Sequence, residues 1–148
     1  MHTPQSYAIL FALLATFAKS AVAQYPVKQR DAALAHKARL EAEQEVKATI
    51  DSMLALLKSE DYHTLIARYF YPPDVDQTLS KVSFEALIAQ FKMNAPALQA
   101  ALQEVKGRSP EWNDEFSCAY FERKGRDVLF VRYKGYWYLR NAGRELAK

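Results

Sequence analysis

The sequence predicts an α+β domain: N-terminal helices, one of them long, packed on a curved antiparallel sheet of three to four strands at the C-terminus. Three observations predict it. From Val27 to Lys58 nothing breaks a helix, and Val46, Ile50, Met53, Leu54 and Leu57 recur at the spacing of one helical face. Residues 115–141, EFSCAYFERKGRDVLFVRYKGYWYLRN, alternate like strands and break at Lys124-Gly125 and Lys134-Gly135. Two N-cap residues, Asp61 and Ser83, stand directly before further apolar stripes.

Ahead of the first helix, Tyr7 to Ala18 is an apolar run followed by Ala21-Val22-Ala23, the small-x-small pattern of a signal-peptidase site. Residues 1–23 are therefore expected to be a signal peptide, cleaved before Gln24, and the mature protein to be periplasmic or secreted. The alternative is an uncleaved anchor, but the run falls short of the about 20 residues that span a bilayer, so no span is expected in the mature chain. Cys118 is the sole cysteine, so an exported chain has no internal disulfide, which suits a bacterial periplasmic or secreted origin. Placed in mid-strand, it reads as packing and not as a reactive thiol.

Residues 24–148 are the size of one domain with a modest core, free of repeats and low-complexity tracts. Between Lys28 and Gln44 the only large apolar residues are Leu34 and Leu40, too thin a stripe for a coiled coil, so residues 24–45 read as a projecting helical segment and residues 46–148 as the folded domain. Asp61 opens a second helix with Tyr62, Leu65, Ile66, Tyr69 and Phe70 on one side, which Pro72-Pro73 ends. Ser83 opens a third, burying Phe84, Leu87, Ile88 and Phe91. A fourth starts near Asn94, tolerates Pro96 in its first turn, buries Leu98, Leu102 and Val105, and stops at Gly107. Pro110-Glu111-Trp112 reads as a short strand and Asn113-Asp114 as the turn into Glu115.

With two-residue loops at both Gly sites, Phe121 faces Val128, Ala119 faces Phe130, and Phe130 faces Leu139. One side of the sheet then carries Ala119, Phe121, Val128, Phe130, Trp137 and Leu139, which is core. The other carries Phe116, Cys118, Tyr120, Leu129, Val131, Tyr133, Tyr136, Tyr138 and Arg140, and a one-residue slip would exchange the two. Residues 123–148 hold eight Lys or Arg against Asp127 and Glu145, while residues 24–122 hold eleven basic against fifteen acidic. Arg123, Lys124, Arg126 and Lys134 lie at turns, where solvated charge is ordinary, so nucleic acid is not an expected partner.

The segment Ala55-Leu56-Leu57-Lys58-Ser59-Glu60-Asp61-Tyr62-His63-Thr64-Leu65, with Tyr71-Pro72-Pro73-Asp74 and the closing Lys134-Gly135-Tyr136-Trp137-Tyr138-Leu139, resembles the nuclear transport factor 2-like, cystatin-like α+β proteins over roughly Val46 to Asn141. The resemblance implies a cone-shaped cavity between helices and sheet, in a superfamily of ketosteroid-isomerase-like enzymes, polyketide cyclases, dehydratases and non-catalytic exported domains. An isomerase-type site needs a carboxylate base against an apolar cavity and a Tyr or protonated acid to hold the enolate. Asp74 or Asp76 is the nearest base, and Tyr62 or Tyr69 the nearest donor. Both acids follow a Pro-Pro turn, where Asp commonly faces solvent. His63, beside Asp61, reads as a solvent-facing or locally bonded histidine.

With one Cys and no HxxxH or HExxH pattern, no metal site is expected. Gly occurs only at 107, 125, 135 and 143, so there is no phosphate loop, and no cofactor is expected. Three functional classes remain: an exported non-catalytic domain binding a small apolar ligand or a protein, an isomerase or cyclase, and a surface-docking or inhibitor module. Tyr120, Tyr133, Tyr136 and Tyr138, with Arg140, form the expected binding face, self-complementary in a homodimer unless the N-terminal helix covers it. N-terminal sequencing of exported material should begin at Gln24; a retained Met1 in a cytosolic fraction would remove the signal peptide.

Overall fold

A computed structural model describes residues 27–140. The expected signal peptide and its cleavage site after Ala23 lie outside the described residues. Helix α1 covers Val27–Lys58 and buries Ala42, Val46, Ile50, Met53 and Leu57. Among the described residues, contacts divide the chain into two units between Ala38 and Arg39, and every described buried residue belongs to the second. The packed unit begins ahead of Val46, because Ala42 is already buried and Glu45 is bonded to the sheet. An alanine and a glutamate give no apolar signal by which the stripe could have shown it.

The turn after α1 closes without glycine. Glu60 adopts φ 55° while its N–H bonds the Leu57 carbonyl at 3.2 Å and that of Asp61 bonds the Leu56 carbonyl at 3.0 Å, the paired hydrogen bonds of a Schellman ending. Asp61 then caps α2, Tyr62–Tyr69, accepting the Thr64 N–H at 3.2 Å. Pro72-Pro73 ends α2 as expected but also opens a helix that the sequence did not show, α3, Pro72–Leu79. The missing N–H of proline costs nothing in a first turn, where those donors have no helical partner, and its fixed φ suits a helix start.

Helix α4 is a single element, Phe84–Val105, capped by the Ser83 hydroxyl at 3.1 Å from the Ala86 N–H. The expected division near Asn94 does not occur. Pro96 removes one hydrogen bond, but Phe91 and Ala95 before it and Ala101, Leu102 and Val105 after it lie in one buried stripe, and that burial outweighs a local propensity.

The sheet is an antiparallel meander, β1 Glu111–Trp112, β2 Cys118–Phe121, β3 Val128–Tyr133 and β4 Tyr136–Arg140, in that spatial order. The pairs Ala119 to Phe130, Phe121 to Val128 and Phe130 to Leu139 are those the turns predict. Lys134 and Gly135, at φ 50° and 85°, form the two-residue turn between β3 and β4. The other connection is not a two-residue turn. Residues 122–127 leave the ladder because the Asp127 carboxylate accepts the Arg123 N–H at 2.9 Å and the Tyr120 hydroxyl, replacing backbone pairing with a side-chain closure.

β2 also starts later than Glu115. Asn113 Oδ1 accepts the N–H groups of both Ser117 and Cys118 at 2.9 Å, and Phe116 turns at φ 52° to pack on Trp112, ring centroids 6.0 Å apart. Phe116 thus belongs to the helix-side core, not to the tyrosine face.

That core joins Ala119, Phe121, Val128, Phe130 and Trp137 to Ile50, Met53, Leu57, Leu65, Ile66, Phe91 and Leu102. Glu45 ties α1 to the sheet: one oxygen accepts the Trp137 indole N–H at 2.7 Å and Arg132 Nη2 at 2.6 Å. A smaller cluster on the opposite face holds Tyr120, Leu129 and Val131, with Tyr71, Cys118 and Tyr138 packed against it. The chain between α2 and α3 lies beside β4, where Phe70 bridges Leu139 in parallel and the Tyr71 N–H bonds the Leu139 carbonyl at 3.0 Å. Among the described residues no helix is long and apolar enough to cross a membrane.

Trp137→Ala should cost about 3–5 kcal/mol in denaturant titration, since it empties a core position and strips Glu45 of a donor; a loss below about 1 kcal/mol would contradict this core. Hydrogen bonds from the Thr64 side chain and backbone hold the Asp61 carboxyl below its ordinary 3.8. A lowered folded value means that the cap contributes fully above the ordinary value and is lost as pH falls through the folded one. The stability gap between the wild type and Asp61→Ala should therefore be flat from neutral pH down to about pH 5 and close below about pH 4. A gap that persisted unchanged in acid would contradict the capping role.

Candidate functional site

Four separated segments meet at one end of the packed unit. α4 supplies Phe91, Asn94, Ala97, Leu98 and Ala101; the loop between β2 and β3 supplies Arg123 to Asp127; Leu139 and Arg140 end β4; and Phe70 ends α2. They enclose a cavity of about 480 Å³. A second, of about 570 Å³, lies between α3 and α4, reaching Asp74, Val75 and Thr78 on one side and Leu87 and Gln90 on the other. Both are lined by Phe70, Phe91, Asn94, Leu139 and Arg140, so they are neighbouring compartments of one groove. Alanines at 97 and 101 keep the α4 wall low, and Phe70, Phe91, Leu98, Val128 and Leu139 make the lining largely apolar.

The groove is ordered by ion pairs at both ends. Arg140 Nε lies 3.2 Å from Asp74 Oδ2, and its guanidinium carbon sits 4.4 Å from the centre of the Tyr71 ring, which fixes the first turn of α3 to the end of β4. At the other end Arg123 bonds Glu104 of α4 at 2.8 Å and the Arg126 carbonyl at 2.7 Å. Asp127 lines the groove as well, with its carboxylate engaged by Tyr120 and the Arg123 N–H. Lys124 and Arg126 flank Gly125, whose φ of 105° turns the loop, and both are exposed. They have no ion-pair partner among the described residues.

The residues singled out from the sequence are dispersed. Asp74 lines the second compartment, but as the partner of Arg140, and Asp76 is exposed on α3. Tyr62 is half-buried edge-on to Phe91 at 5.5 Å, Tyr69 lies under Arg68 at 5.8 Å, and His63 is exposed with its ring 4.7 Å from that of Phe84. None of these three lines the groove. Of the binding candidates, Tyr120 is 2 % exposed, Tyr136 is 69 % exposed, and Tyr133 and Tyr138 are half-buried. Tyr71, Tyr133 and Tyr138 form an edge-to-face row with centroids 5.3 and 6.3 Å apart, which meets Arg140 at Tyr71.

Burial pushes the Cys118 thiol above its ordinary value, away from the thiolate that nucleophilic chemistry requires. Among the described residues no group of three or more His, Cys, Asp or Glu could hold a metal ion. The groove went unseen in the sequence because its floor residues read as core and its cations as turn residues. The run Arg123-Lys124-Gly125-Arg126-Asp127 did carry a signal, three cations and one acid in a loop between two strongly apolar strands. Compared with protein-family models, with curated proteins and with solved structures, the chain matches none.

Proposed function

We propose that the packed unit is a non-catalytic binding domain of an exported protein, taking a small apolar ligand in the groove between α4 and the ends of β3 and β4. One observation carries this: two adjoining compartments of about 480 and 570 Å³ share an apolar wall of Phe70, Phe91 and Leu139, within the range of about 300–1,000 Å³ typical of small-molecule sites. The helices-then-meander order supports the nuclear transport factor 2-like resemblance, and the pattern of Tyr7 to Ala23 supports export. The pairing of Asp74 with Arg140 favours binding over proton abstraction, which needs a carboxylate free to reach substrate. A homodimer through the tyrosine face is the alternative, with Tyr136 as its most exposed ring.

A neutral apolar fluorophore, N-phenyl-1-naphthylamine, should brighten on binding. Ala97→Phe, which fills the first compartment from an exposed position, should weaken it about tenfold or more while leaving the melting temperature within a few degrees. Binding that ignores this substitution, or no binding to the wild type, would overturn the groove as the site. Turnover of an enolisable ketone abolished by Asp74→Asn would overturn the non-catalytic reading.

A further inference from the structure

We infer that the groove selects a small amphipathic anion, whose apolar body lies along Phe70, Phe91 and Leu139 and whose single anionic head meets Lys124 and Arg126. This rests on the groove being a binding site. Four cationic side chains line the first compartment, Arg123, Lys124, Arg126 and Arg140, against the single carboxylate of Asp127. They are not equivalent. Arg123 is spent on Glu104 and the Arg126 carbonyl, and Arg140 on Asp74 and the Tyr71 ring.

Asp127, whose oxygens accept the Tyr120 hydroxyl and the Arg123 N–H, offsets only one of the two remaining charges, so Lys124 and Arg126 leave the loop net positive. That leaves Lys124 and Arg126 at the edge of an apolar cavity, on a loop that Asp127 and Glu104 hold in place. A neutral ligand would make no use of them, and a cationic one would be repelled. An anion gains charge-assisted hydrogen bonds beside a surface of lowered dielectric, where such bonds are stronger than in bulk water. In the second compartment the Asp74 carboxylate is held by Arg140, so the recognition charge lies at the loop end.

Three probes of equal chain length separate head from body: decanoate, decan-1-ol and decyltrimethylammonium, each below its micelle concentration, competing with N-phenyl-1-naphthylamine for the purified full chain. Decanoate should compete at about tenfold lower concentration than decanol, and decyltrimethylammonium should be the weakest. Raising the salt should narrow the gap between decanoate and decanol. The double variant Lys124→Glu/Arg126→Glu should reverse the order of the two charged probes and leave decanol unchanged, with circular dichroism verifying the fold. Equal competition by decanoate and decanol on the wild type, or unchanged decanoate competition on the double variant, would overturn the anionic head while the groove stands. If none of the probes bound, the groove itself would fall and the inference with it.

Discussion

Two positive φ angles, at Lys134 and Gly135, set the pairing of β3 with β4, and the rest of the packed unit depends on that register. Because side chains alternate across a strand, the register puts Phe130 and Trp137 against the helices and Leu129, Val131 and Tyr138 on the far face. A slip of one residue in β4 would turn Tyr138 and Arg140 toward the core and expel Trp137 and Leu139. The tie from Glu45 to Trp137 and Arg132 checks the same register from the helical side, since only this pairing brings both donors to one carboxylate oxygen.

From that register the groove follows as a geometric remainder. β4 ends at Arg140, and Phe70 lies against its penultimate residue, so the floor is fixed by the same strand that fixes the core. The wall is α4, kept continuous through Pro96 by burial on both sides of it. The rim is a loop that would have been a tight hairpin if Asp127 had not captured both Tyr120 and the Arg123 N–H. A side-chain closure of this kind opens the loop outward, which is how a turn of ordinary composition becomes part of a cavity.

The fold class, the long helix, two N-caps, the strands and their register were legible because each rests on a local rule: period, cap or positive φ. Where the sequence misled, a non-local contact or an ambiguous residue decided. Pro72-Pro73 both stops one helix and starts another, with the prolines in the first turn of α3 and Val75 packed against the core. Asn94-Ala95-Pro96 resembles a break unless the stripe on both sides is buried together. The site was the least legible part. Phe70, Phe91 and Leu139 look like core from any single segment, and only their meeting leaves a void.

The Phe70 bridge has a further consequence for how chains meet one another. An open sheet edge offers unpaired N–H and C=O groups to any extended strand, the usual template for runaway cross-β association. Here the β4 edge is interrupted by the bridge and by the Tyr71 N–H bond to Leu139, and the opposite edge is β1, only two residues long. Among the described residues neither edge presents a long, continuous row of main-chain groups. Native copies crowded together can therefore touch through their side chains, but they offer one another little backbone on which to grow a fibril.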